Sequence, residues 1–488
     1  MTVYRRPASG VPAGDAIPFA SGGEYHLFHL GSPAGTVRYP ERVRTTWYHV
    51  RSRDLATWEE LPPALVPGSG DEPDANGVWT GSLIEASGIF HLFYTGHKLG
   101  SQSPQTICHA TSRDLVTFEK DKANPIVRPA PPFEEVDWRD PFVMWNAHEQ
   151  CYWMLIAGRL QIGPRWRRGC IALATSPDLV TWSVESDPLY APMNTFCPEC
   201  PELFQLGDRW YLVYSRFSED AATICRVADN PRGPWRVPER ESFDGRRWYA
   251  SKSMPTPHGR AFFGWVHDRE GDTDTGAWLW GGDFTAAREV TATASGDLRI
   301  RLPEQVKAAF TRPIAFAVSD PSADAEEGLA VALGAEGRFE WRRIEVSGQN
   351  FLLTARFTSG GNPSTFGLLL RPDSDLGGHA IVFDRLRGSV SIVRWPPPLD
   401  TFWADLVGRS GETREVDGPR VVEHFLEWSL DGSGVECELL VSGSVIELYV
   451  NGTVALSHRI YEGNPGSLGV FSEDGPVSFA IRRLRGEG

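Results

Sequence analysis

EYHLFHL at 24–30 is the stretch that decides the fold, because the same kind of run returns as IFHLFYTG at 89–96, CYWMLIAG at 151–158, RWYLVYS at 209–215 and RAFFGWV at 260–266. Each is a short aromatic and aliphatic run bounded by turn-forming residues, the pattern of a buried strand. Counted from Tyr25, Phe90, Tyr152, Trp210 and Ala261, the spacings are 65, 62, 58 and 51 residues. That period suits a four-stranded antiparallel unit with its loops. A second signature follows the first three copies: SRDLATW at 52–58, SRDLVTF at 112–118 and SPDLVTW at 176–182, with a degenerate ADNPRGPW at 228–235. It reads as a tight turn in which an Asp bonds its own backbone and an aromatic residue enters the next strand. Asp54, Asp114 and Asp178 recur with the repeat and are therefore expected to be structural. The whole pattern predicts an all-β chain whose first part is a five-bladed β-propeller.

Composition agrees. The 488 residues include 49 Gly, 37 Pro, 18 Trp and 25 Phe beside 5 Met, a mixture that favours short strands and turns over long helices. Charged residues sum to −15, a balance that repels phosphate backbones and anionic lipid, so no nucleic acid and no membrane partner is expected. No run of about 18 apolar residues is present to span a bilayer. The opening MTVYRRPASGVPAGDAIPFA lacks the apolar core of a secretory signal, from which a cytoplasmic location is expected. Seven scattered Cys suit reduced thiols. Only Cys197 and Cys200 form a C-x-x-C pair, and without a second pair or a His set it does not read as a zinc or redox site.

The repeat ends near 280–290, and a second set of alternating strands begins near 326: FEWRRIEV, NFLLTARF, AIVFDRL, VSIVRW, HFLEWSL, ECELLVSG, VIELYVNG and FAIRRL. The expected division is a propeller over 1–305, a linker over 306–325 and a C-terminal β-sandwich over 326–488.

The leading strand of each propeller blade lines the central channel, so residues at one offset before each repeat should converge on an axial pocket. Ten residues before Tyr25 is Asp15, ten before Phe90 is Thr80, twelve before Tyr152 is Asp140 and eleven before Trp210 is Glu199. Three of the four are acidic. Carboxylates crowded together raise one another's pKa, which is the tuning needed by a retaining glycosidase with one ionised nucleophile and one protonated acid roughly 5–5.5 Å apart. Asp15 is the expected nucleophile and Glu199, among Cys197, Pro198, Cys200 and Pro201, the desolvated acid/base. Asp140 is expected to hold sugar hydroxyls, kept ionised by Arg139 if a bulge turns both inward. The rival occupant of such a site is Ca²⁺.

At these residues the chain resembles the family 32 glycoside hydrolases, the invertase, levanase, inulinase and fructosyltransferase group. WRDPFV at 138–143 is similar to that family's Arg-Asp-Pro motif and ECPELF at 199–204 to its Glu-Cys motif. TTWYHVRSRDLATWEELPPAL at 45–65, VWTGSLI at 78–84, GRAFFGWV at 259–266 and the C-terminal ELLVSGSVIELYVNG, RIYEG and LGVFSEDG also correspond. The resemblance implies a five-bladed propeller plus sandwich, no metal or cofactor, and hydrolysis or transfer of β-fructofuranosyl units by Asp15, Asp140 and Glu199. It further implies that Trp47, Trp79, Thr80, Arg139 and Trp265 shape the pocket for a small carbohydrate. Two departures stand out: Gly14-Asp15-Ala16-Ile17-Pro18 replaces Asn-Asp-Pro-Asn-Gly, and Leu30 stands where the family carries Gln.

The expected function is hydrolysis of β-fructofuranosides such as sucrose or short fructans through a covalent fructosyl-enzyme. The alternatives are an intramolecular fructosyltransferase that forms or opens difructose anhydrides, a hydrolase of another furanoside such as an arabinofuranoside, and a sugar-binding propeller without catalysis. The sequence is compatible with a monomer or a homodimer.

Overall fold

The structure, a computed structural model, describes residues 3–319, 329–334, 337–359, 363–396, 420–425 and 434–487. The regular secondary structure of the described residues is nearly all strand. Among the described residues, helix is confined to Glu304–Ala308 and the 3-10 turns Glu41–Val43 and Glu270–Asp272, and no helix is long and apolar enough to cross a membrane.

Each of the five repeats is the second strand of an antiparallel set. The leading strands are Ala13–Ser21, Val78–Ala86, Phe133–Asn146, Glu199–Leu206 and Trp248–Thr256. They pair through tight hairpins with Glu24–Gly31, Ile89–His97, Cys151–Leu160, Arg209–Arg216 and Gly259–Arg269. The second strands read as continuous apolar runs because both of their faces are covered; Leu92, Phe93 and Tyr94 are all fully buried. Each leading strand packs beside the next, and Trp248–Thr256 returns to Ala13–Ser21, so the five form a circuit. Pairing of Ala13 with Gly282 joins the first and last sets into one nine-stranded sheet.

The repeated turn has the same bonds in all three full copies. In the second, Asp114 Oδ1 accepts from the Val116 and Thr117 N–H groups at 2.9 and 2.8 Å, and Ser112 Oγ accepts from Leu115 N–H at 2.9 Å. Leu55, Leu115 and Leu179 take φ of 64°, 60° and 65°, a conformation that side chains rarely adopt without such local support.

Residues 312–486 contribute two seven-stranded antiparallel sheets. Their inner faces share one core, with Leu353, Phe357 and Leu448 of one sheet against Ile344, Phe366 and Val470 of the other. The expected strand HFLEWSL passes outside the described residues after Phe425. The stretch expected as a linker is itself paired where it is described: Arg312–Pro313 joins Val477–Gly486, and Phe316–Val318 joins Phe339–Val346.

Val306 and Phe310 are buried at a junction with Phe204, Trp248, Leu352, Leu440 and Tyr449. Charges lock the same seam. Glu447 accepts from Arg5 Nη1 at 2.7 Å and from Ala286 N–H, Arg459 pairs with Asp268 and Asp283, and Arg288 bridges Asp244 and Ser457. The turn bonds predict that Asp114→Ala removes about 1–2 kcal/mol of stability and lowers the melting temperature, while turnover changes by less than about twofold.

Candidate active site

Every leading strand carries one extra residue at the same place. The register slips between Gly14 and Ala16, Trp79 and Gly81, Glu199 and Glu202, and Tyr249 and Lys252, and in the third set opposite Leu155–Ala157. These are β-bulges. Asp15, Asp140, Cys200 and Ala250 sit at them with φ of 30°, 58°, 50° and 47°. Neighbours on a regular strand face opposite ways, but at a bulge both the extra residue and the one before it can reach the centre. Arg139 and Asp140 accordingly line one cavity together.

This register changes one expected equivalence. Asp15, Thr80 and Asp140 occupy the bulge, whereas Glu199 precedes the bulge residue Cys200 and matches Trp79, Arg139 and Tyr249. Ten residues back from Trp210 is Cys200, and Asp140 needs an offset of twelve because four residues, 147–150, turn its hairpin where two suffice in the others.

The cavity measures about 180 Å³ and is lined by Asp15, Asp140, Glu199, Arg139, Tyr249, Trp79, Trp280, Leu30, Val43 and Thr45. Asp15 receives a donor on each oxygen, Thr80 Oγ1 on Oδ2 and Trp265 Nε1 on Oδ1 at 3.2 Å. Burial, with the Asp140 and Glu199 carboxylates, still pushes Asp15 up to about 7, against those two bonds. Asp140 Oδ2 accepts the Cys200 backbone N–H at 2.9 Å, and the Asp140 N–H donates to Thr95 Oγ1.

Arg139 is turned mainly to Glu199. Its Nη2 donates to Glu199 Oε1 at 2.9 Å, while Asp140 Oδ2 lies 4.0 Å from its Nε. Arg139 is thus within ion-pair reach of Asp140, as expected if both turn inward, with its shorter bonds going to Glu199. Asp137 and Gln105 hold the other end of the guanidinium. Tyr249 Oη donates to Glu199 Oε2. Burial raises the Glu199 pKa, Arg139 opposes and Asp140 adds to it.

Of the residues implied as pocket walls, Trp79 and Arg139 line the cavity and Thr80 bonds Asp15 from just behind it. Trp47 and Trp265 do not line it. Trp47 is fully buried in the core and donates its indole N–H to the Trp79 carbonyl, and Trp265 braces Asp15 from behind. Tyr249 and Trp280 escaped the sequence reading. Tyr249 stands in the register of Glu199, but an offset of eleven from Ala261, the residue that marks the fifth repeat, lands on Ala250 instead; Trp280 carries no repeat signal.

The departures at 14 and 30 have a visible counterpart. A side chain at Gly14 would meet the Trp280 ring 2.6 Å from its Cβ, so this indole fills the room an Asn would need, and Leu30 adds a second apolar wall. Cys197 and Cys200 are buried free thiols, and burial pushes both well above the ordinary thiol range. Among the described residues no group of three or more His, Cys, Asp or Glu is arranged to hold a metal ion.

Comparison with known proteins identifies the family. Residues 16–301 match the description "Glycosyl hydrolases family 32 N-terminal domain", a match that starts one position past Asp15. A sucrose-6-phosphate hydrolase of Zymomonas mobilis is 27% identical over 475 residues, covering 85% of this chain and 88% of the relative. Two solved structures share the fold. A GH32 β-fructofuranosidase of Bombyx mori has TM-score 0.71 and 22% identity over 99% of this chain and 94% of that one. A fructan 1-exohydrolase IIa of Cichorium intybus in complex with 1-kestose has TM-score 0.73 and 18% identity over 100% and 98%. With more than half of its length matched by the family's N-terminal domain, the chain belongs to glycosyl hydrolase family 32 and is a glycoside hydrolase of the β-fructofuranosidase type.

Proposed function

We propose that the protein hydrolyses β-fructofuranosides, such as sucrose, short fructans or fructan-derived oligosaccharides, with retention of configuration. The convergence of Asp15, Asp140 and Glu199 on one small cavity is the observation that carries this reading. Relatives named sucrose-6-phosphate hydrolase and a structural neighbour solved with 1-kestose support the substrate class. The proposed frame is a five-bladed β-propeller over 1–305, joined through 306–325 to a β-sandwich over 326–488. The circuit of leading strands and the shared core of the last two sheets support it.

Asp15 is the nucleophile. Its two donors, Thr80 and Trp265, aim the carboxylate and favour its ionised form. Glu199 is the acid/base. Burial raises the Glu199 pKa above the ordinary carboxylate value, the direction a general acid needs, while Arg139 on Oε1 and the Tyr249 hydroxyl on Oε2 oppose that rise. In the first step an Asp15 oxygen bonds to the anomeric carbon while Glu199 protonates the departing glycosidic oxygen. In the second, Glu199 takes a proton from water, the water oxygen bonds to the same carbon, and Asp15 leaves. Asp140 accepts hydrogen bonds from the sugar hydroxyls.

A second reading, another furanoside, is favoured by Leu30 and Trp280, which set apolar surface beside Asp15. Incubation with sucrose, inulin, levan, difructose anhydrides and aryl arabinofuranosides, followed by chromatography, separates the readings. Free fructose is expected, and Asp15→Asn should cut its release at least about a thousandfold. Release from aryl arabinofuranosides alone would install the second reading, and a cyclic disaccharide would replace hydrolysis by transfer.

The pH profile gives an independent check. The nucleophile must be ionised, so kcat/KM should rise with pH through about 7, the value of Asp15. Thr80→Ala removes a bond that stabilises the ionised form and should move that limb to higher pH.

A further inference from the structure

Three aromatic rings outside the cavity are used by nothing described so far. The Trp166 and Phe196 rings lie 5.4 Å apart, and the Phe196 and Phe217 rings 5.7 Å apart. Trp166 is 64% exposed and Phe217 44%. Single exposed apolar residues are ordinary, but touching aromatic rings left in water mark a contact surface.

Their place follows from register. Phe196 is three residues before Glu199 in the chain. Ser215 pairs with Glu199 across the strand, and Phe217 is two residues past Ser215. Phe196 precedes the strand Glu199–Leu206 and Phe217 follows the strand Arg209–Arg216, so both sit at the end of this pair that carries Glu199, away from the Leu206–Arg209 hairpin. The ladder is held rigidly. The Arg159 guanidinium lies 3.7 Å from the Phe196 ring centroid and donates to the Arg165 and Phe196 carbonyls. The Leu160 N–H to Arg168 carbonyl bond closes the loop that carries Trp166. Arg159 also pairs with Asp137, which bonds the Arg139 that holds Glu199.

We infer that Trp166, Phe196 and Phe217 form a binding platform for the saccharide on the leaving-group side, and that Trp166 sets a preference for oligosaccharides over small glycosides. This rests on the reading of Glu199 as the acid, since the departing oxygen must then lie against it. Sugar rings further along the leaving chain present their apolar C–H faces to the ladder, where stacking removes both surfaces from water. A leaving group of one carbon is too short to reach it.

The test compares methyl β-fructofuranoside, 1-kestose and nystose as substrates of the wild-type protein and Trp166→Ala. Expected is a rise in KM for nystose of about tenfold with kcat little changed, and kcat/KM on methyl β-fructofuranoside within about twofold, which also shows that the variant is folded. An equal loss on all three substrates, or no loss on nystose, overturns the platform. If the wild-type protein turns over none of them, the proposed substrate class fails instead. Calorimetric titration of nystose then decides the platform: binding weakened about tenfold by Trp166→Ala supports it, and equal or absent binding overturns it.

Discussion

Three carboxyl groups share a cavity lined by a single guanidinium, and the rest of the molecule answers to that crowding. Two unit charges about 4 Å apart repel by roughly 4 kcal/mol at the effective dielectric of a protein near its surface. The opposing interactions come from four different leading strands and one second strand: Thr80, Arg139, the Cys200 amide and Tyr249, with Trp265 from the strand beside Tyr249. No single sheet can hold the arrangement. The circuit has to close before the charges have their partners, and Arg139 itself is aimed by Gln105 and Asp137.

The bulges are the local device that makes such a centre possible. A two-residue alternation delivers one side chain per strand to an axis, too few to supply both a reacting carboxylate and the groups that restrain it. One extra residue per strand gives two adjacent positions access. The cost is a left-handed backbone at Asp15, Asp140, Cys200 and Ala250. At Cys200 the bulge serves through its backbone N–H, and both thiols of the C-x-x-C pair are buried and free.

Much of this was legible in the chain. The aromatic repeats located the second strands, the Ser-x-Asp-Leu turns marked the hairpins, and the acidic residues upstream pointed to the axis. Counting offsets could not resolve the bulge, because a slip of one residue changes which side chain is equivalent, as with Glu199 and Cys200. Nor does the family resemblance separate walls from supports: it implies Trp47, Trp79 and Trp265 alike, yet of these three Trp79 lines the cavity and the other two are buried outside its lining. Trp280 was out of reach because its partner Gly14 is distant in the chain and contributes only an absence of side chain. The expected linker reads as loop-like, yet Arg312–Pro313 pairs with Val477–Gly486 near the far end of the sequence and Phe316–Val318 with Phe339–Val346.

The pairing of Ala13 with Gly282 and the Trp265 bond to Asp15 have a consequence for synthesis. Trp265, which bonds Asp15, leaves the ribosome 250 residues after it. At about 5–20 residues per second that interval is on the order of tens of seconds. During it the edge of Ala13–Ser21 that pairs with Gly282 is open, and the Asp15 carboxylate is without its Trp265 donor. Competence at the centre therefore comes late in translation, after the middle sheets have had time to form.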